Sequence, residues 1–379
     1  MKKINRLFTL ILSIVAVSIH MAGCATINKT ELTNEDLHTT QEKLAIKNNI
    51  CAVSIAIIKN RKIDTIDDAT GCQPALSLNP DSIFQAASLG KPVFAYAVLK
   101  LVDQGKLALD TPVVKYLPQG YLHRSNPFET KPSLADDLVN DPRLRDVTVR
   151  MILNHTSGLP NWAQGPLSFE STPGTEWLYS GEGYVLLQRA VEVITGESLD
   201  QLMITLVFTP LGMSHSEYVW SPQLEQNLVP AMTSNAIAIK PWHFKTSIAA
   251  ATLYTTVEDY AKFVASVLNN DHLLKQFTNS PVTVEPKLNL SWGLGWGIER
   301  SANDLFIWHW GNNPGYRAFV MASVQSGDGI IMFTNSDNGL ALAEPITNKV
   351  LPGRHKVFQF YMLRDGFAYF MCEALGFCI

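Results

Sequence analysis

The chain has 379 residues, of which 46% are hydrophobic and 17% are charged, whereas ordinary soluble domains carry about 25% charged residues. This composition excludes intrinsic disorder and a charge-rich coiled coil, and the length accommodates two domains or one large composite domain. Thirty Lys and Arg residues against 34 Asp and Glu residues give a net charge of -4. Because no basic excess is available to neutralise a phosphate backbone, we expect no nucleic-acid partner.

The chain starts with a basic segment, residues 1–6, followed by an apolar run over residues 7–19 that is too short to span a bilayer. The run ends in Met21-Ala22-Gly23-Cys24, which resembles the lipobox of bacterial lipoproteins, whose Cys is acylated and becomes the new N-terminus. We therefore expect a signal peptide over residues 1–23, lipidation of Cys24, and a polar tether over residues 24–34. Such a protein is exported and anchored in the bacterial cell envelope, on the periplasmic or outer surface. Ordinary signal cleavage beside a free Cys is the alternative.

Beyond the tether, hydrophobic periodicity predicts helices in the middle of the chain and strands towards both ends. The predicted helices span residues 34–49 with Asn34 as the cap, 88–104, 147–153, 183–194, 199–208 and 257–268. The predicted strands span residues 52–58, 62–66, 83–87, 292–299, 305–308, 316–324 and 330–333. This order indicates an α+β fold in which a sheet built from both chain ends encloses a helix-rich middle.

Two segments do not fit this framework. Residues 121–146 are rich in Pro, Asn and charged residues and indicate a long surface loop, which at this length tends to be functional or mobile. Residues 354–379 form an aromatic C-terminal extension that is either a packed helix or a membrane-surface segment. The lack of a basic polar face, which interfacial helices use, favours packing.

The remaining cysteines suit an exported protein. Lipidation of Cys24 leaves Cys51, Cys72, Cys372 and Cys378, an even number in a compartment that permits disulfides. Cys51 and Cys72 flank the predicted strand pair and are expected to lie near each other, but three connectivities, or four free thiols, remain open. No C-x-x-C and no H-E-x-x-H pattern occurs, so we expect neither a metal nor another cofactor.

Ser88-Leu89-Gly90-Lys91 is the one S-x-x-K pattern of the chain, at the boundary between a predicted strand and a predicted helix. Residues three apart share a helix face, so Lys91 can reach the Ser88 hydroxyl. The positive end of the helix dipole and partial burial both disfavour an ammonium, which predicts a lowered pKa for Lys91 and a role as base for a Ser nucleophile. Taken alone the motif is weak, because an exposed Ser and Lys are its usual explanation.

Further segments accompany this motif in a fixed order. They are Gly105-Lys106-Leu107-Ala108-Leu109-Asp110, Leu153-Asn154-His155-Thr156-Ser157-Gly158-Leu159-Pro160, Pro173-Gly174 with Tyr179-Ser180, Pro210-Leu211-Gly212-Met213, His309-Trp310-Gly311 and Asn335-Ser336. With them the chain resembles, from about Cys51 to Val350, the serine β-lactamase and penicillin-binding-protein superfamily. In particular it resembles the branch that holds class C β-lactamases, D-alanyl-D-alanine carboxypeptidases, D-aminopeptidases and family VIII esterases. The resemblance implies a β-lactamase/transpeptidase-like antiparallel sheet flanked by helices, a helix-rich middle subdomain, and one serine hydrolase domain over residues 35–353.

The resemblance also implies roles for the matching residues. Ser88 is the acylated nucleophile, Lys91 is its base partner, and Tyr179 carries a proton to or from the leaving group, since a Tyr between two cations can have its pKa lowered enough to do so. The segment His309-Trp310-Gly311 lines the opposite wall of the cleft. The backbone N–H of Asn312 pairs with that of Ser88 as an oxyanion hole.

His155 is a tempting catalytic candidate, but it belongs to a segment that is structural in the family. We expect a buried His that makes hydrogen bonds.

Two residues depart from the family pattern. The tyrosine motif is usually Y-x-N, but here it is Tyr179-Ser180-Gly181, which removes an amide that would hold a substrate acylamide. His309 stands where β-lactamases carry Lys, and a His with an ordinary pKa near 6.5 is mostly neutral at pH 7. Both changes weaken the binding of a β-lactam. They favour acyl transfer from an ester or peptide that needs fewer of these contacts.

The sequence therefore predicts a lipid-anchored serine hydrolase, esterase- or peptidase-like, that forms an acyl-enzyme on Ser88. Its expected partners are a small ester, peptide or β-lactam substrate and, through the lipid anchor, a membrane. A class C-like β-lactamase or D-alanyl-D-alanine carboxypeptidase is the first alternative. A degenerate binding protein without activity is the second, because Gly181 removes a motif residue.

Overall fold

The described part of the chain is a mixed structure of helices and strands. The computed structural model describes residues 36–363. Its strands are β1 Val53–Lys59, β2 Lys62–Ala69, β3 Phe84–Ala87, β4 Leu122–His123, β5 Asp137–Leu138, β6 Ala231–Met232, β7 Ala238–Ile239, β8 Leu253–Thr255, β9 Val282–Glu285, β10 Leu290–Trp292, β11 Gly297–Arg300, β12 Leu305–Asn313, β13 Tyr316–Ser323 and β14 Gly329–Thr334. Its α-helices are α1 Leu37–Lys47, α2 Gly90–Asp103, α3 Val149–Leu153, α4 Gly181–Thr195, α5 Leu199–Met203, α6 Thr209–Leu211, α7 Pro222–Glu225, α8 Val257–Leu268, α9 Asp271–Thr278 and α10 Ala343–Val350. A π-helical segment, Ile204–Phe208, continues α5.

Eight of the strands within residues 36–363 form one antiparallel sheet, in the order β2-β1-β14-β13-β12-β11-β10-β9. Strand β1, from the start of the chain, pairs with β14 near its end, with Val53 opposite Thr334. The prediction of an α+β fold with an antiparallel sheet built from both chain ends is confirmed. The pair of β3 and β8 is separate from this sheet and leads directly into α2.

The hydrophobic core lies between the sheet and its helices. Helix α2 is apolar on all sides and most of its residues are buried, as expected for a helix inside the core. Helix α8 packs against β1, β2 and β14. The first turn of α2, which carries Lys91, is therefore surrounded by protein.

The N-terminal hairpin is closed by a disulfide. Cys51, just before β1, is bonded to Cys72, just after β2. The predicted nearness of the two is confirmed, and the structure decides the pairing that the sequence left open. The helix before this hairpin begins later than predicted. Its cap is Asp36, whose carboxylate accepts the Thr39 N–H at 3.0 Å and the Thr39 hydroxyl at 2.7 Å. The prediction of Asn34 as the cap is therefore wrong.

The predicted strand over residues 292–299 is also wrong, because this segment is the hairpin of β10 and β11. Gly293 lies so close to the Phe277 carbonyl that a Cβ would stand 1.8 Å from its oxygen, and Gly295 has a φ of 86°. Only glycines accept these positions, so the chain turns instead of continuing the strand. Strand β12 is longer than predicted: the sequence predicts an end at Trp308, and the strand extends to Asn313.

Both segments that the sequence left outside the framework contain local structure. Residues 121–146 hold the short hairpin of β4 and β5, where His123 Nδ1 lies 2.8 Å from an Asp137 carboxylate oxygen. The described start of the C-terminal extension forms 3-10 turns that pack Phe360 against Trp308, with ring centroids 5.7 Å apart. The predicted signal peptide, Cys24 and tether, and the end of the extension from residue 364 onwards, lie outside the described residues.

Within the described range, no helix has the length and apolar character needed to cross a membrane. No group of three or more His, Cys, Asp or Glu side chains among residues 36–363 is arranged to hold a metal ion.

Candidate active site

Ser88 stands at the sharp turn between β3 and α2. The preceding residue, Ala87, has a φ of 51°, a left-handed conformation that residues with a side chain rarely adopt. Two tyrosines from other segments hold this turn in place. The Tyr260 hydroxyl donates to the Leu89 carbonyl at 3.0 Å, and the Tyr218 hydroxyl donates to the Gly90 carbonyl at 3.1 Å. These bonds fix the Ser88 side chain at the edge of the core, where it stays half-buried.

Lys91 reaches the Ser88 hydroxyl as the S-x-x-K spacing predicts. Its Nζ lies 3.0 Å from Ser88 Oγ and donates to the Ala250 carbonyl at 2.9 Å. Ser88 Oγ also donates to the Ala250 carbonyl, at 3.3 Å. The two side chains are thus aligned through one backbone oxygen.

Burial changes the acidity of Lys91. The side chain is fully buried, and both of its acceptors are neutral oxygens that stabilise an ammonium less than a carboxylate does. Burial lowers the pKa of Lys91 to about 7. A substantial fraction of Lys91 is therefore a neutral amine at pH 7, able to accept a proton.

The Tyr179 ring covers Lys91, with Lys91 Nζ 4.7 Å from the centre of the ring. Its hydroxyl is buried near Ser88 and makes no well-formed hydrogen bond within residues 36–363. Burial raises the pKa of Tyr179 above its usual value, and the neighbouring Ser88 hydroxyl offsets only part of this rise. The expectation that cations lower the pKa of Tyr179 is wrong, because burial raises this pKa and no cation contributes to lowering it, so the phenol stays protonated.

His309 is not the second cation. It is fully buried in β12, and burial together with the nearby Lys91 lowers the pKa of His309 to about 3. Its Nδ1 lies 2.8 Å from the Trp310 backbone nitrogen, from which it can accept, and 2.8 Å from the Trp310 carbonyl oxygen, to which a protonated Nδ1 donates. Its Nε2 is buried and has no hydrogen-bond partner among the described residues. The imidazole offers a neutral hydrogen bond to a substrate and no charge.

The end of β12 packs closely against the segment before Ser88, and the contact is made at Gly311. A Cβ at Gly311 would lie 2.1 Å from the Ala86 carbonyl oxygen, so only glycine permits this approach. The next residue, Asn312, is exposed, on the same stretch of β12. Gly311 thus brings β12 against Ala86, two residues before Ser88, and the oxyanion hole of the Ser88 and Asn312 N–H groups stays a prediction.

Trp310 lies beside the catalytic tyrosine. Its side chain is 4% exposed and packs against Tyr179, with ring centroids 5.1 Å apart. The ring therefore supports Tyr179, and its role as a substrate-binding residue stays a prediction.

Gly181 is the first residue of α4 and lacks both a side chain and the room for one. Its N–H donates to the Asn161 backbone oxygen at 3.0 Å and lies 3.1 Å from the Asn161 side-chain oxygen. A Cβ at this position would stand 2.6 Å from the Asn161 carbonyl oxygen and 2.9 Å from two ring carbons of Trp162. The substrate-binding amide of the family motif is therefore replaced here by an indole.

His155 is structural, as its segment suggests. It is fully buried, its Nδ1 accepts the Ser180 N–H at 3.1 Å, and its ring lies 4.5 Å from that of Tyr179. Burial lowers the pKa of His155 well below its usual value. This His positions the Tyr179 segment and carries no charge at neutral pH.

Sequence reasoning missed the Ala250 carbonyl that aligns Ser88 and Lys91. A backbone oxygen has no residue-type signature, and Ala250 is 159 positions from Lys91. The aromatic side chains beside Gly181 were also missed, because the pairing of Trp162 with Phe128, at 5.3 Å between ring centroids, depends on the path of a long loop.

Two cavities of about 620 and 500 Å³ lie elsewhere. Both are lined by Asp200 and Val219, and neither is lined by Ser88, Lys91 or Tyr179. Cavity size therefore does not mark the reactive serine, and we place the site on the geometry of its side chains.

Known proteins with similar sequences include hydrolases and penicillin-binding proteins. Esterase EstB of Burkholderia gladioli is 34% identical over 185 residues, which cover 40% of this chain and 42% of the esterase. Penicillin-binding protein 4* of Bacillus subtilis (strain 168) is 23% identical over 304 residues, covering 69% of this chain and 62% of that protein. The matched regions thus span only 42% to 62% of the length of these relatives.

Solved structures agree on the fold. The D-alanine carboxypeptidase AmpC from Burkholderia cenocepacia superposes with a TM-score of 0.68 at 17% identity, covering 85% of this chain and 99% of that one. The octameric penicillin-binding protein homologue from Pyrococcus abyssi gives a TM-score of 0.67 at 21% identity, covering 83% and 78%. The beta-lactamase family model matches residues 39–349. Since this match covers most of the chain and agrees with the fold, the protein belongs to the beta-lactamase family of serine hydrolases.

Proposed function

We propose that this protein hydrolyses small carboxylic esters, and more slowly amides, through an acyl-enzyme on Ser88. The observation that carries the proposal is the buried Lys91 Nζ, 3.0 Å from Ser88 Oγ, with a pKa of about 7. A poised amine within hydrogen-bond reach of a hydroxyl is what activation of a weak nucleophile requires.

In the acylation step, Ser88 Oγ forms a bond to the substrate carbonyl carbon while its proton passes to neutral Lys91 Nζ. The negative charge that develops on the carbonyl oxygen is stabilised by the N–H groups of Ser88 and Asn312. The bond to the leaving alkoxide then breaks, leaving the acyl group on Ser88. The lysine, now an ammonium, holds the proton that the leaving group needs.

Tyr179 delivers that proton. Because burial keeps its phenol protonated, Tyr179 gives its own proton to the leaving oxygen and recovers one from the Lys91 ammonium. In deacylation a water molecule attacks the acyl carbon, Lys91 takes the water proton, and Ser88 leaves with a proton returned to it. The cycle ends with carboxylic acid, alcohol and the starting enzyme.

Esters suit this site better than β-lactams. A β-lactam presents an acylamide and a carboxylate, which in this family are held by an amide and a cation. Here the amide position is occupied by the Trp162 ring beside Gly181, and His309 is a neutral imidazole. Each lost hydrogen bond costs about 0.5–1.5 kcal/mol, and more where a charge is involved. An ester that lacks both groups loses nothing.

Two other functions are distinguished from an esterase by the same assay. A class C-like β-lactamase or a D-alanyl-D-alanine carboxypeptidase uses the same nucleophile on substrates that carry a carboxylate. A binding protein without activity is disfavoured, because Ser88, Lys91 and Tyr179 are aligned with each other.

The test of the proposal is covalent labelling combined with turnover. Intact-mass spectrometry with a fluorophosphonate should detect one adduct, which Ser88→Ala removes while circular dichroism stays unchanged. An adduct on the alanine variant would contradict the assignment of Ser88. Turnover of nitrocefin faster than that of p-nitrophenyl butyrate would replace the esterase proposal with the β-lactamase alternative.

We also propose that Cys24 carries a lipid anchor. The motif Met21-Ala22-Gly23-Cys24 supports this, and the Cys51–Cys72 disulfide is consistent with an oxidising compartment outside the cytoplasm. The site of hydrolysis would then lie in the cell envelope, close to a membrane surface.

A further inference from the structure

An indole lines the side of the catalytic cluster where the family motif has its amide. Two ring carbons of Trp162 are 2.9 Å from the Cβ that residue 181 would have. Gly181 lies only two residues after Tyr179, whose ring covers Lys91 Nζ at 4.7 Å. The benzene half of Trp162 therefore lies against the start of α4, two residues from Tyr179.

The position of Trp162 is fixed by the backbone on both of its sides. The Asn161 oxygens accept the Gly181 N–H, at 3.0 and 3.1 Å, and the Ala163 N–H donates to a Glu182 carboxylate oxygen at 3.0 Å. The indole is thus attached to the first turn of α4, next to the catalytic Tyr179. Such attachment preorganises a binding surface and lowers the entropy lost when a ligand packs on it.

Two more aromatic rings continue this surface. Phe128 lies between Trp162 and Trp242, with ring centroids 5.3 and 6.5 Å away. The loop that carries Phe128 is fastened by the Thr246 hydroxyl, which donates to the Pro127 carbonyl at 3.0 Å. We name Trp162, Phe128 and Trp242 the aromatic arc.

The far end of the arc is fastened to the other side of the nucleophile. The Trp242 carbonyl accepts the Gln85 side-chain N–H at 2.8 Å, and Gln85 lies on β3, three residues before Ser88. The side-chain oxygen of Gln85 in turn accepts from Asn313, at the end of β12, at 3.0 Å. The arc therefore runs from the Tyr179 side of the cleft to the Ser88 side.

The arc leaves apolar surface uncovered. Trp242 is 50% exposed, and Trp162 and Phe128 are only partly buried. Aromatic side chains of this size bury large apolar areas when a ligand packs against them, and they prefer tilted or offset contact with another ring. A fixed, half-open aromatic surface beside a nucleophile fits one part of a substrate, its acyl group.

We propose that the aromatic arc is an acyl-group subsite that selects substrates with an aromatic acyl chain, such as arylacetyl esters. The proposal rests on the proposed function, since it names the substrate class of the same site. The aryl group stacks between Trp162 and Trp242, and the carbonyl carbon reaches Ser88 Oγ. A charged acyl chain is disfavoured, because the arc offers it only aromatic rings.

The test uses p-nitrophenyl acetate and p-nitrophenyl phenylacetate, which share a leaving group and differ in the acyl group alone. We expect the wild-type kcat/KM for the phenylacetate to exceed that for the acetate by at least about tenfold, the size of effect that an apolar pocket achieves. Trp162→Leu and Trp242→Ala should each remove most of this preference and leave the acetate rate within about twofold. Trp162→Phe, which keeps an aromatic ring, should retain it.

Trp220→Leu is the matched control. Trp220 is also partly buried, but it stacks on His243 at 4.4 Å and lies outside the arc, so its loss should not change the ratio. Equal kcat/KM for both esters in the wild type, or equal loss of both in the arc variants, would overturn the subsite while Ser88-dependent acetate hydrolysis still upholds the proposed function. If neither ester is hydrolysed by the wild type, the proposed function fails and the subsite with it.

Discussion

Burial decides the protonation state of every group in the catalytic cluster. It lowers the pKa of Lys91 to about 7, lowers that of His309 to about 3 and raises that of Tyr179. At neutral pH the cluster therefore holds at most one positive charge, on Lys91, while the Tyr179 phenol and the His309 imidazole are neutral. The roles follow from this, since only Lys91 changes its protonation near pH 7 and only Tyr179 holds a proton ready for a leaving group.

The pH dependence of turnover should follow Lys91. Lys91 accepts the Ser88 proton only when it is neutral, so with a pKa of about 7 the active fraction falls as pH drops through 7 and approaches a plateau above about pH 8. We expect kcat/KM for p-nitrophenyl butyrate to decline about tenfold per pH unit below pH 6. A rate that is constant down to pH 5, after subtraction of spontaneous hydrolysis, would contradict Lys91 as the base.

His309→Lys should move selectivity towards β-lactams. A cation restores a charge-assisted bond to a substrate carboxylate, which is worth about twice a neutral bond, so we expect the nitrocefin-to-ester ratio of kcat/KM to rise about tenfold. A second buried amine near Lys91 also lowers the pKa of Lys91, which shifts the acid limb of the pH profile below 7. His309→Gln, which keeps a neutral hydrogen-bonding side chain, should change neither. An unchanged ratio in the lysine variant would show that His309 does not meet the substrate carboxylate.

Among the elements, β3, α2 and β12 define the site. Strand β3 ends in the left-handed residue Ala87, α2 presents Lys91 in its first turn, and β12 comes against both through Gly311. Tyr179 lies just before a fourth element, α4. The N-terminus of this helix is capped by the Ser180 hydroxyl, which accepts the Gly183 N–H at 2.9 Å. The site therefore depends on close approach between elements distant in sequence.

Gly311→Ala should damage catalysis more than stability alone explains. Its Cβ would lie 2.1 Å from the Ala86 oxygen, so β12 must move away from the Ser88 turn and carry the Asn312 N–H with it. Loss of one oxyanion donor costs about 100-fold or more in kcat. Gly329→Ala is the control, because its Cβ also collides, 2.9 Å from the Ala322 Cβ, but in the β13–β14 pair. We expect both variants to lower Tm and only Gly311→Ala to lower kcat.

At the scale of the whole molecule, the hydrolase domain is expected to follow a lipid-modified N-terminus. Residues 39–349 match the beta-lactamase family, and Cys24 precedes them by a short polar segment. A domain tethered in this way meets substrates near the membrane surface, where apolar esters partition. This location is compatible with an aromatic acyl subsite.

Cys24→Ser should release the protein from membranes. Acylation requires the Cys thiol, and stable anchoring takes more than one acyl chain, so the serine variant has no anchor. Fractionation of cells that produce each form, followed by a carbonate wash, should place the wild type in the membrane pellet and the variant in the supernatant. A variant that stays in the pellet would place the anchor elsewhere, with the aromatic extension over residues 354–379 as the next candidate.

Local signals in the sequence determined several elements of this protein. Helix α8 spans Val257–Leu268 as its periodicity predicts, because Thr256 caps it and accepts the Asp259 N–H at 3.1 Å. The S-x-x-K spacing placed Lys91 next to Ser88, since one helical turn fixes that geometry. The flanking positions of Cys51 and Cys72 predicted that the two lie near each other, because a hairpin brings its ends together, and the structure shows that they are bonded.

Only the tertiary structure decided the electrostatics and the shape of the cleft. The pKa of Tyr179 rises and that of His309 falls because other segments exclude water from both, and no spacing along the chain encodes that exclusion. The hairpin at Gly293 depends on the Phe277 carbonyl, which is distant in sequence. The place of Trp162 beside Gly181 likewise follows from how a loop and a helix meet. Sequence patterns report local geometry, whereas burial and close approach are properties of the whole packed chain.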